Sequence, residues 1–123
     1  ISVKDEDKSQ LKTLCTKLKG LGFKFIATKG TGLKMKEDGF EVKIINKVME
    51  GRPHIVDAIL NNEVSMVINT TEGRQSIKDS YSIRRSALEH SVFLTTTISG
   101  GFAIVESLEQ GEKVWSYDAL QNS

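Results

Sequence analysis

The sequence has little cysteine, little proline and no long apolar run, and each shortage excludes a class of protein. A single cysteine, Cys15, among 123 residues excludes a disulfide framework and a cysteine-rich zinc site. No apolar run approaches the roughly 20 residues that span a bilayer, so we expect no membrane association. One proline and ten glycines are too few for a low-complexity or disordered chain. We therefore expect one domain with a single core, reduced and cytoplasmic.

The ends of the chain indicate a piece of a longer protein. The first residue is Ile1, and the first methionine is Met35. We expect residues 1–109 to form the domain, with a truncated first strand, and residues 110–123 to form a polar C-terminal tail. Such a tail is typical of a frayed end or a docking segment.

Charge is unevenly distributed along the chain. Residues 1–47 contain eleven lysines and six acidic residues, whereas residues 48–123 contain six basic and ten acidic residues. We expect most of these lysines to lie on solvated helix faces and a few to converge on an anion. A nucleic-acid surface is not expected, because the net charge is +1 and no basic run reaches five residues.

The hydrophobic pattern predicts strict alternation of strands and helices. Leu11, Leu14, Cys15, Leu18 and Leu21 follow helical spacing and form one apolar stripe, and acidic residues such as Asp5 precede it at the helix N-terminus. Pro53 is expected in the first turn of a later helix. The strands are predicted at residues 1–3, 23–27, 42–45, 64–68 and 92–94, and the last two helices at 79–89 and 99–108. This order predicts an α/β fold: an open, parallel, five-stranded sheet with helices on both faces, a three-layer flavodoxin-like or Rossmann-like architecture.

Polar loops follow three of the predicted strands, at residues 27–32, 68–74 and 95–101. Parallel sheets bind ligands beyond the carboxyl ends of their strands. The first loop supplies hydroxyls and glycines at a helix N-terminus, which are the groups that hold a phosphate. Lys8 and Lys47 follow the first and third strands and add positive charge at the same edge. The sequence therefore predicts a phosphate site there.

Enzyme motifs are not found in the sequence. There is no P-loop signature and no nucleophile elbow, and Gly30-Thr31-Gly32 lacks the third glycine of a dinucleotide fingerprint. His54 and His90 stand alone and are expected to be structural. We predict no catalytic and no metal-binding residues.

Several segments together resemble a known family. Residues 46–55 (NKVMEGRPHI), 68–74 (INTTEGR) and 83–87 (IRRSA), with 2–8 and 27–31, resemble the C-terminal regulatory domain of bacterial carbamoyl-phosphate synthase large subunits. The resemblance extends to about Leu108. It implies the methylglyoxal-synthase-like fold, in agreement with the strand and helix order above.

The resemblance also implies allosteric control by nucleotides. UMP would inhibit and IMP would activate the distant synthetase sites, in pyrimidine and arginine biosynthesis. By this resemblance the phosphate would contact Lys8, Thr28, Thr31 and Lys47. The sugar and base would contact Asn69, Thr71 and Ile55, and Thr96 would contribute to an ornithine site.

The resemblance further implies what surrounds this domain in the parent enzyme. The partners would be the remainder of the large subunit and the glutamine amidotransferase small subunit. The parent ligase would use ATP with Mg or Mn, while this domain would hold no cofactor.

Three alternatives stay open. The first is an enzyme, methylglyoxal synthase, which carries a His-Asp pair after its first strand and a Gly-rich aspartate segment after its third. Here Lys4 and Asp5 occupy the positions of the pair, and residues 49–53 replace the aspartate segment, so the catalytic base is missing. The second is the related cyclohydrolase half of the bifunctional purine-synthesis enzyme, and the third is an interaction domain with an empty vestigial site.

Overall fold

The chain forms short parallel strands that alternate with helices. The computed structural model describes the backbone of residues 1–70 and 74–122 and the side chains of residues 1–70 and 80–110. The strands are β1 (Phe25–Thr28), β2 (Val42–Ile45), β3 (Met66–Ile68) and β4 (Phe93–Thr95). The helices are α1 (Leu11–Gly20), α2 (Lys29–Glu37), α3 (Ile55–Leu60), α4 (Arg74–Glu89) and α5 (Ile98–Asn122), with 3₁₀ segments at Asp5–Gln10 and Val48–Glu50. Within these ranges no helix is both long and apolar enough to cross a bilayer.

Two small parallel sheets flank the first residues of the chain. β1 pairs with β2, and β3 pairs with β4. The carbonyl of Ile1 accepts from the Thr28 N–H at 3.2 Å, and the Ser2 N–H donates to the Ile68 carbonyl at 2.9 Å. The spatial order is therefore β2, β1, residues 1–3, β3, β4.

The predicted five-stranded sheet is not confirmed. The described chain contains two two-stranded sheets, and residues 1–3 make an isolated parallel bridge between Ser2 and Asn69 instead of a full strand. Residues 1–3 lie towards the carboxyl ends of β1 and β3, so they bond to Thr28, Ile68 and Thr70 and not along the whole of these strands. The parallel α/β architecture is confirmed.

Helices cover both faces of the strands. Leu11, Leu14, Cys15 and Leu18 of α1 are all buried, and Leu21 at its C-cap is partly buried, so the predicted apolar stripe is confirmed. They pack in one cluster with Ile68 and residues of α2 and α5. The neighbouring side chain on β3 is Val67, which lies in a second cluster with Ile59 of α3 and Ile83 of α4. Successive strand residues point to opposite faces, so these clusters are the two sides of the sheet.

Several predicted boundaries were wrong. Pro53 precedes the N-cap residue His54 and does not lie in the first turn of α3. α4 begins at Arg74 instead of residue 79, and α5 continues to Asn122 instead of ending at residue 108. Residues 74–78 and 109–122 contain no proline, and about half of them are Arg, Gln, Glu, Lys, Leu or Ala, which favour a helix. The division into a domain and a tail stays a prediction.

Candidate functional site

The carboxyl ends of the parallel strands lie at one edge of the molecule. β1 ends at Thr28, β2 leads to Lys47, residues 1–3 lead to Lys4, β3 leads to Asn69, and β4 leads to Thr96. The spatial order of the strands places these residues along the edge in the order Lys47, Thr28, Lys4, Asn69, Thr96. The edge is the expected position of a ligand in a fold of this type.

Lys8 lies over the N-terminus of α2. Its Nζ is 3.6 Å from the point where a Cβ on Gly30 would stand, and Gly30 is the second residue of α2. The N-cap residue Thr28 has an extended backbone, and its hydroxyl donates to Ser2 Oγ at 3.0 Å instead of capping the helix amides. Free amides, the positive end of the helix dipole and an ammonium group therefore face one another. This combination favours an anion.

Two lysines act electrostatically on the carboxylate of Asp5. This carboxylate forms an ion pair with Lys8 and is itself largely exposed. The pKa of Asp5 is lowered, first by the hydrogen bond and charge of Lys8 and then, more weakly, by the charge of Lys47. Lys47 is therefore close enough for its field to act on this carboxylate, although it comes from a different crossover unit. Two cations lie near one carboxylate, at the position predicted for a phosphate.

The hydroxyls of Thr28 and Thr31 are buried and have partners within the protein. Thr28 is 1% exposed and Thr31 is 2% exposed. The Val3 N–H donates to Thr31 Oγ1 at 3.0 Å, and the Thr31 hydroxyl is 3.4 Å from the Val3 carbonyl oxygen. Both threonines therefore attach residues 2 and 3 to the start of α2. They lie beside Gly30, and their contact with a ligand stays a prediction.

The other predicted residues are spread along the edge and below it. Asn69 is buried, and its Nδ2 donates to Ser80 Oγ of α4 at 3.3 Å. Thr71 lies outside the described residues. Ile55 is half-buried, packs against the second cluster, and lines a cavity between β1 and β3. Thr96 is exposed after β4, at the opposite end of the edge from Lys47.

Sequence reasoning missed three residues of this edge. Asp5 was interpreted as a helix-terminal acid, yet its spacing of three residues from Lys8 is that of a helical ion pair. Thr70 is buried, and its hydroxyl accepts from the Lys4 N–H at 2.8 Å. Ser2 accepts from Thr28 as described above. Nothing in the local sequence signals the last two contacts, which join residues 66 and 26 positions apart.

The loop that carries Lys47 is held by hydrogen bonds to carboxylates and by one ion pair. Glu50 Oε1 accepts from the Lys47 N–H at 2.7 Å. The Arg52 Nε donates to Asp57 Oδ1 at 3.0 Å, and the His54 N–H donates to Asp57 Oδ2 at 3.0 Å. These bonds, Arg52 first, lower the pKa of Asp57 to about 2. The loop is therefore tied to α3, which limits the positions that Lys47 can take.

Comparison with known proteins identifies the relatives of this chain. A family model described as "MGS-like domain" matches residues 10–96. The carbamoyl phosphate synthase large chain of Pseudomonas putida is 56% identical over 111 residues, which is 90% of this chain and 10% of the relative. The large chains of Xanthomonas axonopodis pv. citri and Buchnera aphidicola are each 48% identical, covering 98% and 89% of this chain. The chain spans about a tenth of the length of these curated relatives.

Proposed function

The chain belongs to the MGS-like domain family, and we propose that it is the nucleotide-binding regulatory domain of a carbamoyl phosphate synthase large chain. UMP would act as inhibitor and IMP as activator, both held by their phosphate at the edge where the strands end. The names of the relatives support the parent enzyme. The geometry around Lys8 supports the phosphate site.

The observation that carries the proposal is the position of Lys8 over Gly30. A phosphate monoester at this point meets an ammonium group, the first amides of α2 and the dipole of that helix at once. Glycine lets the anion approach the backbone closely. Lys47 adds a second positive charge from the neighbouring loop. The two lysines supply positive charge to a phosphate, and the carboxylate of Asp5, which pairs with Lys8, offsets part of it.

UMP and IMP would share one phosphate site and regulate the parent enzyme by binding preferentially to different conformations of it. UMP and IMP share the phosphate and differ in the base, so both use Lys8 and Lys47, while Asn69, Thr71 and Ile55 meet the sugar and base. Each effector shifts the parent only by its difference in affinity between two conformations, typically about 1–3 kcal/mol. Thr96 would contribute to a separate ornithine site at the far end of the edge.

The catalytic activity would belong to other parts of the parent enzyme. ATP-dependent synthesis with Mg or Mn, and contact with the glutamine amidotransferase subunit, would use residues outside this chain, which spans about a tenth of its relatives. We place the parent in the cytoplasm, and pyrimidine and arginine biosynthesis as its pathways.

The alternative is a methylglyoxal synthase acting on dihydroxyacetone phosphate. The names of the curated relatives do not favour it. Among the described residues near the edge, Asp5 is the carboxylate closest to Lys8, and it is held in an ion pair. A phosphate-release assay on dihydroxyacetone phosphate distinguishes the two, since the regulatory domain would release none.

Calorimetric titration with UMP and IMP tests the proposal. We expect both nucleotides to bind with one-to-one stoichiometry and to compete with each other. Lys8→Ala should weaken both about tenfold or more, because a charge-assisted contact to phosphate is lost. Lys36→Ala is the matched control, since Lys36 is an exposed lysine near the C-terminal end of α2, away from Gly30.

The outcomes separate the candidates. Equal weakening of UMP and IMP by Lys8→Ala, with Lys36→Ala unchanged, supports a shared phosphate site. Binding of uridine and inosine as tightly as their monophosphates would contradict it. No heat of binding at millimolar nucleotide would favour the interaction domain with an empty site.

A further inference from the structure

The backbone amides of Val3 and Lys4 donate to two threonine side chains that come from different parts of the fold. The Val3 N–H donates to Thr31 Oγ1 of α2 at 3.0 Å, and the Lys4 N–H donates to Thr70 Oγ1, after β3, at 2.8 Å. Both threonines are buried, with 2% and 6% of their surfaces exposed. Successive amides of an extended chain point to opposite sides. Val3 and Lys4 therefore join the start of α2 to the loop that follows β3.

The hydroxyl of Thr70 takes the place of a backbone acceptor. The Ser2 N–H donates to the Ile68 carbonyl at 2.9 Å, and the Thr70 N–H donates to the Ser2 carbonyl at 2.9 Å. If this parallel pattern continued, the Lys4 N–H would donate to the carbonyl of Thr70. It donates to the Thr70 hydroxyl instead. A side chain therefore makes this connection, and a substitution removes it without changing the backbone.

The bond between Lys4 and Thr70 links the two groups of residues proposed to hold the nucleotide. Lys4 is the N-cap residue of the 3₁₀ segment that contains Lys8, the lysine over the N-terminus of α2. Thr70 stands in the sequence directly between Asn69 and Thr71, which are proposed to meet the sugar and base. The phosphate residues and the sugar and base residues are therefore joined through one hydroxyl.

We propose that Thr70 is a positioning residue that fixes the distance between the phosphate part and the sugar and base part of the effector site. This inference rests on the proposed function and adds a residue that acts through Lys4, without a contact to the ligand. A nucleoside monophosphate contacts both parts at once, so its affinity depends on the distance between them. Inorganic phosphate contacts the first part alone. Thr31 has a different role, because its bond to Val3 holds the segment of Lys8 against α2, within the phosphate part.

Thr70→Val tests the proposal with two ligands, UMP by calorimetry and inorganic phosphate by NMR titration. Valine keeps the shape of threonine and lacks the acceptor. At a temperature well below the Tm of each variant, the Kd for UMP should rise about tenfold, while the Kd for phosphate should change less than about twofold. Thr70→Ser keeps the acceptor and should restore UMP binding. Thr31→Val is the contrast, since it should weaken UMP and phosphate by similar factors.

Lys4→Pro removes the donor of the same bond. The backbone of Lys4 has φ −67°, which suits proline, and proline has no N–H. Lys4→Ala loses the same side chain but keeps the N–H, so the difference between the two variants measures the bond. Lys4→Pro should bind UMP about tenfold more weakly than Lys4→Ala. Adding Thr70→Val to Lys4→Pro should have no further effect, because the bond is already broken. This comparison also applies if Thr70→Val does not fold.

The outcomes distinguish positioning from a general loss of stability. Equal weakening of UMP and phosphate by Thr70→Val would overturn the proposal, as would an unchanged affinity for UMP. Additive effects of Lys4→Pro and Thr70→Val would also overturn it, since two unrelated losses add. Failure of the unsubstituted chain to bind UMP would contradict the proposed function itself, and this inference with it.

Discussion

The ammonium group of Lys8 stands 3.6 Å from the position of a Cβ on Gly30, at the open end of α2. Substitution of Gly30 by alanine should change the stability of the fold and the binding of an anion in opposite directions. Alanine favours a helix over glycine by about 0.5–1 kcal/mol, and 3.6 Å is an ordinary contact, so Gly30→Ala should stabilise the fold. The same methyl group occupies the approach of an anion to the helix amides. We expect a higher Tm together with weaker UMP binding, measured by thermal unfolding and calorimetry.

A control for this variant lies in the neighbouring helix. Gly20, at the end of α1, has no atom within 4 Å of the position that a Cβ would take, so Gly20→Ala adds a methyl group to open space. It should leave UMP affinity unchanged. Gly30→Ala with unaltered UMP affinity would show that the anion does not approach this backbone.

Asp5 should compete with the bound anion. Its carboxylate already pairs with Lys8, so a bound phosphate either displaces Asp5 from Lys8 or is repelled by the nearby carboxylate. Asp5→Asn should strengthen UMP binding about two- to threefold, the scale of an exposed ion pair, and the gain should shrink at high salt. Calorimetry at two salt concentrations measures this effect. Glu6→Gln, an exposed acid next in sequence, is the control, and an equal gain there would indicate a general charge effect.

Thr31 should matter to stability through its hydroxyl. Thr31→Val keeps the shape of the side chain but leaves the buried Val3 N–H without its acceptor at 3.0 Å. An unsatisfied buried donor costs about 1–3 kcal/mol of the free energy of unfolding. Urea unfolding should show that loss. Thr31→Ser keeps the hydroxyl and should lose less, and the reverse order would contradict the assigned role.

Asp57 should make folding stability depend on acid pH. Its pKa in the folded protein is about 2, below the usual value of 3.8, so the folded state favours the charged form. The stabilisation is complete above about pH 4 and is lost as the pH falls towards about 2. Asp57→Asn should lower stability at about pH 6 and flatten the dependence between about pH 4 and 2. Urea unfolding across this range measures it, with Glu63→Gln, an exposed acid, as control. If the free energy of unfolding of Asp57→Asn changed with pH as steeply as that of the unsubstituted protein, the prediction would be wrong.

Local patterns predicted the elements that carry a clear period. The stripe of α1 needs one buried side, and its leucines are buried as their spacing predicts. β2 was predicted with its observed bounds, because its apolar residues stand between polar turns. The start of α4 and the end of α5 were wrong, since polar composition does not distinguish a helix from a tail.

The site was predicted only as a set of residues near one edge. Parallel strands force their carboxyl ends together, so Lys8, Thr28 and Lys47 could be grouped from the strand order alone. The hydrogen-bond partners of these residues could not be predicted from the strand order. Asp5 forms an ion pair with Lys8, and the Thr28 hydroxyl donates to Ser2 Oγ, because the fold brings these groups together.

By itself, the sequence determined the alternation of strands and helices and the buried side of α1. These properties depend on residues only a few positions apart in the sequence. The repeat of a helix or strand sets the distances between such residues, whatever the rest of the fold is. Tertiary structure decided how residues 1–3 join β1 to β3. That arrangement depends on hydrogen bonds between residues far apart in the chain, whose register follows from the packing of the whole molecule.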